Sequence, residues 1–209
     1  MEVPPVTFIK TRRFSIVLLA SCVFIAVFES FYTRSYAMPS FDYSWETPVS
    51  HFLGPFLGCL SAAVVNSVAP AMETLAVAPI KLWRTGLSVS LCVFQWAAMY
   101  AFTFFANAFL LDVPITTSDF SILLISTVAF QAIGMFSAAL FSSMRVWIFP
   151  VLAFMACVGF GFNTDSTPRP HHLLVAHTPT TAVMAILAWV VAVIVLLTLR
   201  PSALEKENI

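Results

Sequence analysis

Charge is scarce in this sequence of 209 residues: only 10% are Asp, Glu, Lys or Arg, and the formal net charge is zero. Such a chain has too little polar surface to coat a water-soluble globule of its size. Glycine is also scarce, six residues in all, and none stands before a lysine, so a phosphate-binding loop is excluded. A nucleophile-elbow serine and the His-Glu pattern of metalloproteases are missing too. With these absences no catalytic residue is assigned, and if transport is the task of this chain, energy must enter from another polypeptide or from an ion gradient. The four cysteines, Cys22, Cys59, Cys92 and Cys157, form no close pair and no metal-ligand spacing. They read as small core residues. No soluble domain, fixed-period repeat or low-complexity tract interrupts the chain, so residues 1–209 read as one domain. Nothing in the chain points to a nucleic-acid partner.

What is present is apolar. Hydrophobic residues make up 60% of the chain, and the mean hydropathy is +0.93. Six apolar runs, at about 14–31, 52–72, 87–111, 120–141, 146–162 and 181–199, each approach the ~20 residues a helix needs to cross a bilayer. No Lys or Arg lies inside any of them. A basic residue at mid-membrane costs about 2.5 to 3.5 kcal/mol, so these charges mark boundaries. The runs lack the alternation of barrel strands, which leaves helices as the spanning form. The expected fold is therefore an all-α integral membrane protein with six transmembrane helices.

Threading the basic residues through these spans places Lys10, Arg12, Arg13, Lys81, Arg84, Arg145, Arg200 and Lys206 on one side, and Arg34 and Arg169 on the other. The positive-inside rule then puts both termini in the cytoplasm. Trp83 and Trp147 fall at the inner boundary, and Trp45 lies in the first outer loop. Lys10, Arg12 and Arg13 before an apolar run also fit the start of a secretory signal, with Leu19-Ala20-Ser21-Cys22 as a lipoprotein-like box. Apolar residues continue from Val23 to Phe28 where a lipid-modified cysteine would need a polar tether, so an uncleaved first span is the reading adopted. Tyr32 to His51 and Asn163 to Thr180 read as outer loops by their Pro and Ser content.

Span two carries Gly54, Gly58, Ala62, Asn66 and Pro70 at every fourth position, and span four carries Gly134, Ala138 and Ser142. Small residues at that spacing let two helix backbones approach. Packing within one bundle accounts for both stripes, and a subunit interface is the alternative. Asn66, Gln95 and Gln131 are amides at membrane depth, which should face inward, either as helix-to-helix hydrogen bonds or as contacts along a substrate pathway. On the outer side His171, His172 and His177 accompany Asp165. Their spacing does not match paired ligands on a helix, so a solvated loop is preferred to a metal or haem site.

The turn Met72 to Arg84 begins with Glu73 and ends with Lys81, Trp83 and Arg84. Leu75, Ala76, Val77 and Ala78 suit a short surface helix stopped by Pro79, a shape that fits a groove on a cytosolic partner. An acid after span two, then Leu75, then Pro79 before the next span resembles the pattern of ABC-2 type transporter permeases. The stretch Gly134 to Pro150, with a Ser-Ser-Met-Arg turn and a proline in span five, is similar to a second stretch of that family. This resemblance implies a type V exporter-like bundle, paired with a second permease copy or paralogue above cytosolic ABC ATPase subunits that carry the ATP and Mg. It further implies a coupling helix at about 73–80, with Glu73, Leu75, Val77, Pro79, Lys81 and Arg84 transmitting force. Export of a hydrophobic or amphipathic compound (drug, peptide or lipid) across a plasma membrane, a bacterial inner membrane in particular, is the expected function. The alternatives are a structural or assembly subunit of a membrane complex and a cofactor-binding electron-transfer subunit.

Overall fold

The computed structural model describes residues 13–32, 34–39, 44–65, 80–110, 114–141, 146–160, 173 and 178–198. Their helices are α1 (Phe14–Ser30), α2 (Leu53–Val65), α3 (Ile80–Phe109), α4 (Thr117–Leu140), α5 (Ile148–Phe160) and α6 (Pro179–Thr198), and a 3-10 helix, Val49–Phe52, leads into α2. Each α-helix falls on one of the six apolar runs. The long helices α3, α4 and α6 are long and apolar enough to cross a membrane, while α1, α5 and the Val49–Val65 segment are shorter apolar helices. At about 1.5 Å per residue, the 20 residues of α6 already extend about 30 Å, the thickness of a hydrocarbon core.

Two boundaries differ from the sequence reading. Residues 35–48, read as part of a loop, contain an antiparallel hairpin of β1 (Ser35–Pro39) and β2 (Ser44–Pro48), in register from Ser35 opposite Pro48 to Pro39 opposite Ser44. Both prolines sit at strand ends of a two-stranded sheet, where a missing N–H can face away from the partner, so proline content was no bar to pairing. The Arg34 N–H donates to the Phe31 carbonyl and the Arg34 carbonyl accepts from Val49 N–H, each at 2.9 Å, closing the hairpin onto the end of α1. The second difference is α3, which starts at Ile80 rather than near Leu87. Lys81 and Arg84 are consequently part of the helix and not of a preceding turn.

Helix α4 organises the bundle. It packs most extensively on α2 and next on α6, and 72% of its apolar stretch is buried within the protein, against 33% for α3 and 17% for α6. Its first turn is fixed by a capping box: Thr116 Oγ1 accepts from Asp119 N–H at 3.2 Å and the Asp119 carboxylate accepts from Thr116 N–H at 3.3 Å. Just before it, the Asn107 side chain donates to the Ile115 carbonyl and accepts from the Ile115 N–H, at 3.0 and 2.8 Å. The α3–α4 connection is thus tied back to α3 by an amide that meets both backbone groups of one residue.

Close approach of α2 and α4 depends on glycine. A Cβ on Gly58 would lie 2.5 Å from the Phe130 carbonyl oxygen, and one on Gly134 would collide with the carbonyl of Gly58. At Gly54 the obstacle would be Ser126. Gly54, Gly58 and Ala62 of span two therefore meet span four at and around Gly134 inside one chain, as packing within one bundle requires. Gly86 is different, since nothing lies within 4 Å of where its Cβ would stand. Gly86→Ala is expected to stabilise α3 by about 0.5 to 1 kcal/mol, measurable as a raised unfolding temperature of the detergent-solubilised protein.

Candidate functional site

The interior is layered along the helix axes. Toward the hairpin end, Ile25, Leu53, Leu57, Met99 and Leu123 form one apolar cluster. Toward the other end, Val17, Val64 and Leu91 form another. Between these positions in the chain lie Ser21, Ser61 and Gln95, which together with Gln131 on α4 are all 0% exposed. Gln95 is their hub. Its carbonyl oxygen accepts from Gln131 Nε2 at 2.6 Å and from Ser61 Oγ at 3.1 Å, and its amide nitrogen donates to Ser21 Oγ at 2.8 Å.

The network is extended at both ends. Trp96 Nε1 donates to Gln131 Oε1 at 2.8 Å, and Ser21 Oγ passes its proton donation to the Val17 carbonyl at 2.9 Å. The weaker Cys92 thiol contact reaches Ser61 Oγ at 3.8 Å. Four helices, α1, α2, α3 and α4, are joined by these side chains. The Trp96 ring also lies 5.4 Å from that of Trp189 on α6, so five of the six helices meet around the hub. Amides do not change charge in the accessible pH range, so the arrangement clamps helices through neutral hydrogen bonds.

Of the residues singled out in the sequence, Gln95 and Gln131 are brought together, and Gly54 and Gly58 lie at the α2–α4 contact. Asn66, Glu73, Leu75, Val77 and Pro79 lie outside the described residues, as do His171, His172 and His177. Lys81 lies in the first turn of α3. Arg84 is buried, and its Nη2 donates to the Leu196 carbonyl at 3.2 Å. That carbonyl belongs to the last turn of α6, where C-terminal carbonyls have no partner within the helix and a cation is favoured. Arg84 therefore fastens the start of α3 to the end of α6. No disulfide joins the cysteines, and Cys22 is exposed while Cys92 and Cys157 are buried, so Cys22 departs from the expected core position.

A second polar cluster at the hairpin end had no counterpart in the sequence reading. Glu29, near the end of α1, is 0% exposed and accepts a hydrogen bond from Thr103 Oγ1 at 3.0 Å. Tyr32 follows in the turn after α1, its N–H donating to the Glu29 carbonyl at 3.1 Å. Burial, and then a hydrogen bond to Asp119, push the Tyr32 phenol well above its ordinary range. One signal could have found this cluster: Glu29 is the only acid within the six apolar runs. Among the described residues, no group of three His, Cys, Asp or Glu is placed to hold a metal ion.

The helices and the hub define a class of protein, a helical bundle with membrane-length members riveted by buried amides. No family model, curated protein or solved structure matches the chain.

Proposed function

We propose that this chain is the membrane permease subunit of an ABC-2 type transporter, exporting a hydrophobic or amphipathic compound with ATP hydrolysed by a separate cytosolic subunit. The observation that carries this reading is an interior sealed by amides beneath an exterior of large apolar side chains. Val183, Met184, Ile186, Leu187, Val190 and Ile194 on α6 are all more than half exposed or close to it, as are Ile16, Leu19 and Val23 on α1. Surfaces of this kind suit lipid and partner helices, and water poorly.

A solute crossing the middle of one chain would have to break the Gln95 hub. In a half-transporter the pathway instead runs between two permease copies, and a closed single-chain interior is compatible with that. Six spans with both termini cytoplasmic would put the connection before α3 beside the ATPase, in a plasma membrane such as a bacterial inner membrane. Arg84 supports a coupling path, since force applied at the start of α3 would be felt at the end of α6 through the Leu196 carbonyl. Gln95, Gln131, Gly54 and Gly58 then serve as helix joints and not as substrate contacts.

The test is assembly. Co-expressed with an ATPase encoded beside it, the tagged chain should retain that ATPase through purification and support ATP hydrolysis. Glu73→Ala combined with Leu75→Asp should reduce the retained ATPase by tenfold or more, on the order of 1.4 kcal/mol or greater. Unchanged retention and hydrolysis would remove the coupling assignment. A chain that recovers no ATPase but stays in a larger membrane complex would be an assembly subunit.

A further inference from the structure

Glu29 presents an unsolved electrostatic problem. Its Oε2 accepts from Thr103 Oγ1, whereas its Oε1 is buried without a hydrogen-bond partner. Two further orphaned atoms, Ser50 Oγ and His51 Nδ1, lie on the 3-10 helix that packs against α1. A carboxylate taken out of water with one oxygen unmet is strongly disfavoured.

Three kinds of partner could relieve it. A basic side chain is one, but among the described residues Glu29 is bonded only by Thr103. A hard cation such as Ca2+ or Mg2+ is another, but it needs about six or more oxygen ligands, and among the described residues no group of three His, Cys, Asp or Glu is placed to hold a metal ion. An organic cation needs room, and the groove between α2 and α5 lined by Phe52, Phe56, Cys59, Pro150 and Phe154 is apolar throughout. A proton needs no volume, and it removes the charge that burial of the carboxyl disfavours.

We propose that Glu29 is a proton-binding site, holding a proton on its orphaned oxygen while α1 and α3 are joined at Thr103 and releasing it to water at the hairpin end when that contact opens. The step balances simply, as the carboxyl O–H breaks, the electron pair stays on Glu29 and the proton leaves. An ionisable side chain within an apolar helix marks a functional site more often than a packing one. The titratable or charged groups on the elements packed against α1 are His51 on the 3-10 helix, Cys59 on α2, and Lys81, Arg84, Cys92 and Tyr100 on α3, with Cys22 on α1 itself and Arg34 and the Tyr32–Asp119 pair at the hairpin end. Proton binding at Glu29 does not depend on the permease reading.

Infrared difference spectroscopy of the full chain in lipid nanodiscs tests it. The wild type should show the carbonyl band of a protonated carboxyl at neutral pH, lost reversibly on alkalinisation. Glu29→Gln should abolish the band, and Thr103→Val should shift it by removing the hydroxyl donor. Should Glu29→Gln not fold, carboxyl-13C-glutamate in the wild type must shift the same band. Absence of a glutamate-derived protonated band, its survival in Glu29→Gln, or its indifference to pH would each overturn the proposal.

Discussion

Leucine in place of Gly134 is expected to separate α2 from α4 and to lower stability by about 3 kcal/mol or more. The first atom of any side chain there falls on the carbonyl of Gly58, and the corresponding atom on Gly58 falls 2.5 Å from the Phe130 carbonyl. Both obstacles are backbone, which cannot rotate aside as a side-chain tip can. Overpacking of a close-packed contact costs about 1 to 3 kcal/mol even where side chains can yield, and here the helices themselves must move. For a chain of this size the loss corresponds to roughly 6 to 12 °C in Tm. Gly86→Ala is the internal control, because a side chain added at an open position should leave Tm unchanged or raised. Equal tolerance at the two glycines would mean that α2 and α4 are not in backbone contact.

Removal of the hub is expected to be nearly as costly. Gln95→Leu takes away the acceptor of Ser61 and Gln131 and the donor to Ser21, so each of the three loses a hydrogen bond in an apolar interior, while Ser21 keeps the Val17 carbonyl and Gln131 keeps Trp96. Orphaned buried groups cost about 1 to 3 kcal/mol each in proteins generally, whereas side-chain bonds between membrane helices average about 0.6 kcal/mol. The expected total of about 2 to 4 kcal/mol lies between those scales. A double-mutant cycle of Gln95→Leu with Gln131→Leu should return a coupling of about 0.6 to 1.7 kcal/mol, and additive losses would contradict the 2.6 Å bond.

Much of this arrangement can be read from the chain, and the limits have physical causes. Helix placement follows from where Lys and Arg are absent, because a basic side chain in hydrocarbon is expensive irrespective of what surrounds it. Inward-facing Gln95 and Gln131 follow from the same logic applied to amides. Their partners do not, since Ser21 and Ser61 are ordinary in apolar runs and only the packing of α1 and α2 on α3 gives them a role. Arg84 looked like an anchor at the membrane edge, yet its partner is a carbonyl 112 residues further along, a pairing that no local pattern encodes. The hairpin was hidden by Pro39 and Pro48, whose positions at strand ends matter more than their number. Glu29 was legible as a lone acid, but its burial depends on Thr103, 74 residues away.

The central functional claim is that the turn joining spans two and three faces the cytosol, where a separate ATPase can grip it. In a variant whose four native cysteines are replaced, Ala76→Cys should be unreactive toward a membrane-impermeant maleimide added to intact cells and should react once the membrane is opened or inverted. Labelling of that cysteine from outside intact cells would contradict the account.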